Sequence, residues 1–239
     1  MSRLLTAILL AATVVTAPAL AQNQSSASAG IDNSIIWSQI PFNSTDHSNY
    51  PTLNFTSLQN DTTVRYFADV NAVPQELKQS SGSALNTYLP VGQNGSMAQS
   101  SNLWNSTSVW TDKGLMYSTA TTKITFVAGN GDTEFWMPLF ATASAANGGW
   151  AQANVTVTGA VFASNRFIPI SFSLESSNGY QRSTLHSIFG TAPGGEAYGY
   201  LNIVSQSWAS VPSPVPEPAG YGMLLAGLAM LGLLRRARR

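Results

Sequence analysis

Residues 121–143 read TTKITFVAGNGDTEFWMPLFATA, and this stretch decides the fold class. Before Gly129, Ile124, Phe126 and Ala128 alternate with Lys123, Thr125 and Val127. A period of two places successive side chains on opposite faces of a strand. After Asp132 the chain continues through Thr133–Ala143, rich in Phe, Trp and Leu. Gly129-Asn130-Gly131-Asp132 stands between the two runs. Asn-Gly tolerates the positive φ of a type I′ turn, so the expectation here is a hairpin.

The same grammar extends in both directions. Thr63–Val70, Ala153–Ala163, Arg166–Leu174 and Tyr198–Trp208 also read as strands, and Asn165 marks a second short turn. One short helix is expected at Pro74–Gln79. Gln79–Thr107 is dominated by Ser, Asn, Gly and Gln and reads as a long loop or irregular edge. Many of the strands recur at intervals of about ten to twelve residues, which predicts an all-β domain, a β-sandwich or jelly roll. A β-helix is the alternative, but no short motif repeats.

Both ends differ from this body. Near the start, Arg3 precedes an apolar run from Leu4 to Val15, and Ala19-Leu20-Ala21 has the small-x-small form of a signal cleavage site. Near the end, Val215-Pro216-Glu217-Pro218 is followed by an apolar run over 219–234 and by Arg235, Arg236, Arg238 and Arg239. The sixteen apolar residues make a helix of about 24 Å against a hydrocarbon core of about 30 Å. Bilayer thinning and arginine snorkelling absorb the difference. The arginines hold the C-terminus on the cytoplasmic side and so place the body outside.

This order of motif, apolar helix and arginine cluster resembles the PEP-CTERM sorting tail of Gram-negative bacteria. The resemblance covers the tail and the export signal alone. It implies a protein exported through the inner membrane and held there transiently. An exosortase-type membrane protease would cut near the motif, leaving the mature protein at the cell surface or extracellular. It also implies exopolysaccharide or biofilm as the setting. The resulting organisation is a signal peptide at 1–21, a polar lead at 22–30, a β-sandwich-like extracellular domain at 31–208 and a Pro/Ser spacer at 209–216. The sorting tail occupies 215–239, with its motif at 215–218, a transmembrane helix at 219–234 and arginines at 235–239.

Charge and cysteine content exclude several chemistries. Between Gln22 and Glu217 there are six basic and eleven acidic residues, a formal charge of −5. That body has no electrostatic footprint for nucleic acid. The chain has no cysteine, so disulfides, thiolate metal sites and thiol catalysis are ruled out.

No constellation nominates a catalytic residue, and no cofactor or metal is implied. Asp132 and Glu134 share a strand face, but the Gly and Glu of a calcium-loop pattern do not follow. They read as a solvated turn. His47 and His186 are the only histidines. Asp46-His47-Ser48 holds the three triad residue types, but neighbours in sequence rarely converge as triads do, and no G-x-S-x-G elbow is present. Glu134, Glu175 and Glu196 are of the type a glycosidase needs, with nothing to pair them.

Six tryptophans remain. Trp104, Trp110 and Trp150 lie in or beside polar stretches and are the candidates for stacking on sugar rings. Trp136 lies inside an apolar strand and is expected in the core. Seven Asn-x-Ser/Thr triplets begin at Asn23, Asn43, Asn54, Asn60, Asn94, Asn105 and Asn154. The favoured reading is a non-catalytic extracellular surface or matrix protein. A carbohydrate-binding β-sandwich is the alternative, and a secreted hydrolase the second alternative.

Overall fold

The computed structural model describes residues 24–41, 51–69, 72–146, 148–191 and 194–212. The signal peptide, the sorting tail, Asp46, His47 and Ser48 lie outside these residues, as do Asn23 and Asn43. The described chain is all-β. Its thirteen strands are β1 Ser25–Ile31, β2 Ile36–Pro41, β3 Thr52–Phe67, β4 Gln75–Ser81, β5 Leu85–Val91, β6 Asn94–Ser100 and β7 Asn105–Thr111. They continue with β8 Gly114–Gly129, β9 Gly131–Ser144, β10 Trp150–Ala163, β11 Arg166–Ser176, β12 Gly179–Gly190 and β13 Glu196–Val211.

They form two antiparallel sheets. Sheet A has seven strands in the order β12-β9-β1-β7-β6-β5, with β2 beside the first half of β9. Sheet B has six in the order β11-β10-β13-β8-β3-β4. The sheets pack face to face. Inward residues of sheet B, among them Ile124, Phe126, Val155, Val157, Leu201 and Ile203, meet Ala27, Ala29, Phe135, Met137 and Leu139 of sheet A. Alternation along each strand produces this layer, because every second side chain points inward.

The Asn130 turn joins layers and is not a hairpin. β8 belongs to sheet B and β9 to sheet A. Asn130 takes a φ of 61° between them. A Cβ on Gly131 would stand 2.5 Å from the Ile40 carbonyl oxygen, so this corner requires glycine. Both edges of β8 are taken by β13 and β3, and both edges of β9 by β12 and by β1 with β2. The expected hairpin therefore has no free edge to form on. The second turn does close one: Ser164 and Asn165, at φ 48° and 61°, connect β10 to β11 with Ala163 opposite Arg166.

Other expectations are corrected. Pro74–Gln79 is not helical, since β4 starts at Gln75 and pairs with β3. Gln79–Thr107 is not a loop; it contains β5, β6 and the start of β7. Residues 22–30, read as a lead, contain β1 from Ser25, paired on both edges. Small residues explain these errors. Ala27, Ala29, Ser96, Ala98, Ser100 and Thr107 all face inward and are buried, but Ser and Ala carry little strand preference.

Polar residues complete the packing between β3, β6, β7, β8 and β13. Asn60, Asn105, Ser100, Thr107, Thr122 and Ser207 are all buried. Ser100 donates to Asn60 Oδ1 at 2.7 Å, and Asn105 Nδ2 donates to Thr122 Oγ1 at 3.0 Å. The Thr107 and Ser207 hydroxyls pair across the sheets at 2.7 Å. Buried polar groups of this kind must be paired to be tolerated.

Candidate functional site

The strands give the domain two poles. At one, Ser25 pairs with Thr111, Trp150 with Ser210 and Val211 with Gly114. The described chain both begins and ends there. At the other lie the Asn130 corner, the Ser164-Asn165 turn and Glu196. Tyr198 is thirteen residues before Val211 on one continuous strand, about 40 Å at a strand's rise per residue.

On the outer face of sheet B, at this second pole, aromatic side chains collect. Register sets them in a row. Phe167 on β11 is opposite Phe162 on β10, and Phe162 is opposite Tyr198 on β13. Tyr200 stands one step along β13, opposite Ala160. Phe162, Phe167, Tyr198 and Tyr200 are 53%, 62%, 55% and 51% exposed, whereas Ala160 is 3% exposed and forms a floor. A concavity of about 380 Å³ lies among them, and a second of about 340 Å³ adjoins Phe162 and Tyr198 on the side of Asn165 and Glu196.

The rim is polar. Tyr198 donates its hydroxyl to Glu196 Oε2. That hydrogen bond, and then the negative charge of Glu196, hold the Tyr198 phenol above its ordinary range, so it stays neutral. Across the groove, β3 carries a bulge between Phe55 and Ser57, leaving Thr56 out of the ladder. Bulges re-aim side chains. Here the Thr56 hydroxyl lies 2.8 Å from that of Thr125, which donates to Ser57 at 2.9 Å.

The three stacking candidates do not meet. Trp150 is exposed at the opposite pole, on the outer side of sheet B. Trp110 lies on sheet A, stacked on Tyr88 at 6.1 Å and donating to the Gln93 carbonyl. Trp104 is exposed in the turn between β6 and β7. The exposed platform is built from Phe and Tyr instead. In sequence each of these follows ordinary strand alternation; only register aligns them.

Trp136 is not a core residue. It is half-buried on the outer face of sheet A, with its ring stacked on His186 at 5.2 Å and 3°. Packing favours Phe135 and Met137 inside, because the neighbouring positions of a strand face opposite ways. His186 also bonds Glu134 through Nε2, a pairing across 52 residues that sequence spacing could not reveal. The His186 side chain is 48% exposed, and this pair lies outside the concavities on sheet B. Glu175 bonds Gln152 on β10, and Glu196 stands on the opposite outer face from Glu134. Among the described residues no three His, Asp or Glu side chains cluster as metal ligands.

The Asn-x-Ser/Thr triplets sort by burial. Asn60, Asn94 and Asn105 are at most 2% exposed, whereas Asn54 is exposed and Asn154 half-buried on an outer face. Expressed in a host that glycosylates asparagine, the folded protein is expected to leave Asn60, Asn94 and Asn105 unmodified. Peptide mapping after enzymatic deglycosylation reads this directly; a glycan at any of the three would contradict their inward placement.

Residues 214–239 match the family model of the PEP-CTERM protein-sorting motif. The match implies an exported protein whose C-terminal signal is processed by an exosortase, a membrane protein. No curated protein and no solved structure matches the chain.

Proposed function

We propose that this chain is a non-catalytic component of the cell surface or extracellular matrix, released from the inner membrane by exosortase cleavage and associated with exopolysaccharide. The motif match over 214–239 carries the reading. The fold is consistent with it. The described chain ends at Pro212, at one pole, just before the matched residues 214–239. Glu134, Glu175 and Glu196 are dispersed over the two outer faces, which supports a non-catalytic role.

The aromatic concavity favours a second reading of the same exported body, a carbohydrate-binding module. Amphipathic rings at the surface with a polar rim are a binding-site composition.

Processing is testable by intact-mass analysis of protein recovered from the medium and surface of the producing cells. The expected C-terminus falls close to Pro216-Glu217-Pro218, and the expected N-terminus is Gln22. Recovery of membrane-bound chain ending at Arg239, with no shorter form, would replace the proposal with a permanent anchor.

A further inference from the structure

We propose that the outer face of β10, β11 and β13 at the pole remote from the C-terminus binds a neutral, hydroxyl-rich polysaccharide chain. Phe162, Phe167, Tyr198 and Tyr200 supply the contact and Glu196, Thr56 and Thr125 its polar margin. The inference rests on the carbohydrate-binding reading and names its site and ligand class.

Three observations select this occupant. The first is chemistry. An aromatic face is negative, so it attracts the polarised C–H faces of a sugar ring. The hydroxyls around such a ring need partners at its edge. The concavity offers both at once: half-exposed rings over the Ala160 floor, and the Glu196 carboxylate, the Tyr198 phenol and the Thr56–Thr125 hydroxyl pair beside them. The second is charge. The residues lining the two concavities include Glu196 and no Lys or Arg. An anionic polymer or a nucleic acid would meet a carboxylate and no cation. The third is geometry. β10 and β13 are hydrogen-bonded to neighbours on both sides. Their outer face presents side chains and no free backbone groups, so a peptide cannot add as a strand over Phe162, Tyr198 and Tyr200; the edge of the sheet lies beyond them, along β11. The described chain ends at Pro212, at the other pole, about 40 Å away.

The arrangement also orients the ligand. Phe167, Phe162 and Tyr198 succeed one another across three adjacent strands, a row nearly perpendicular to the strand direction with steps of about 4.8 Å. A polysaccharide would lie across the strands, along this row, with Tyr200 closing one side.

The test is calorimetric titration of the full chain, purified in a detergent without sugar headgroups. The titrants are cellohexaose and maltohexaose as neutral probes and a hexamer of galacturonate as the anionic one. At least one neutral hexasaccharide is expected to bind, and galacturonate more weakly. Phe162→Ala and Tyr200→Ala should each weaken binding at least about fivefold, and the double variant should abolish it. Both residues are half-exposed, so both variants should melt as the parent does. Trp150→Ala, at the far pole, serves as the comparison and should leave affinity unchanged. Binding that survives the double variant, or that prefers galacturonate, overturns the groove while leaving a carbohydrate-binding protein. Absence of binding to all three probes overturns both. Self-association or liposome binding lost in the double variant, with no oligosaccharide affinity, would identify a second copy or a lipid surface as the occupant and overturn the assignment.

Discussion

Phe126→Ala is expected to lower stability by about 3–5 kcal/mol. Phe126 is 1% exposed on β8, in the contact between the sheets near the Asn130 corner. Its ring lies 5.2 Å from that of Trp37 on β2 and 5.8 Å from that of Phe189 on β12. It also packs over Gly199 of the neighbouring strand, where a Cβ would stand 2.2 Å from the ring. Gly199 has no side chain with which to fill the space left by truncation, so the cavity persists. For a domain of this size the melting temperature should fall by about 6–20 °C. Phe126→Leu should lose much less, because it keeps most of the volume. A melting temperature within about 2 °C of the parent for the alanine variant would mean that the sheets do not pack through this residue.

Asn60→Ala is expected to lower stability by about 1–3 kcal/mol, although it removes no apolar surface. Asn60 is fully buried on β3, accepts from Ser100 at 2.7 Å and donates to the Ser83 carbonyl at 2.9 Å. Its loss strands the carbonyl and one of three contacts of the Ser100 hydroxyl, whose others are the Thr121 carbonyl and the Thr122 hydroxyl. Asn54→Ala, six residues earlier on the same strand but exposed, should change stability by no more than about 0.5 kcal/mol. Denaturant melts of the two variants give the comparison. Equal, small effects would show that the polar seam between the sheets does not contribute as its geometry requires.

These two residues mark where sequence reading succeeds and where it stops. Phe126 declares itself: a large apolar residue in period-two alternation must be buried somewhere. Asn60 does not. In a chain rich in Asn, Ser and Thr, a triplet at Asn60 reads as surface, and only the second sheet converts it into an interior group. The same holds for β1, β6 and β7, whose inward positions are mostly Ala, Ser, Thr and Asn. Their burial follows from close packing of the layers, which no local preference encodes.

The candidate site was hidden for a related reason. Phe162, Phe167, Tyr198 and Tyr200 occupy the outward phase of strands whose inward phase is also apolar. Composition cannot tell the two phases apart in such a strand. Trp136 shows the same ambiguity, flanked by Phe135 and Met137, both fully buried. Glu134 and His186 belong to strands paired only through the sheet order.

The sequence by itself determined the all-β class, the turn at Ser164-Asn165 and the sorting motif at the C-terminus, because each depends on residues close together in the chain. Alternation, positive-φ residues and an ordered motif with an arginine cluster are local facts. The tertiary structure alone decided that Asn130 joins two sheets, that Asn60 is interior and that four aromatic rings share one face. Alternation specifies which side of a strand a residue occupies, but not which strand lies beside it or which sheet lies across from it. That choice is made by edges already paired and by the space between layers.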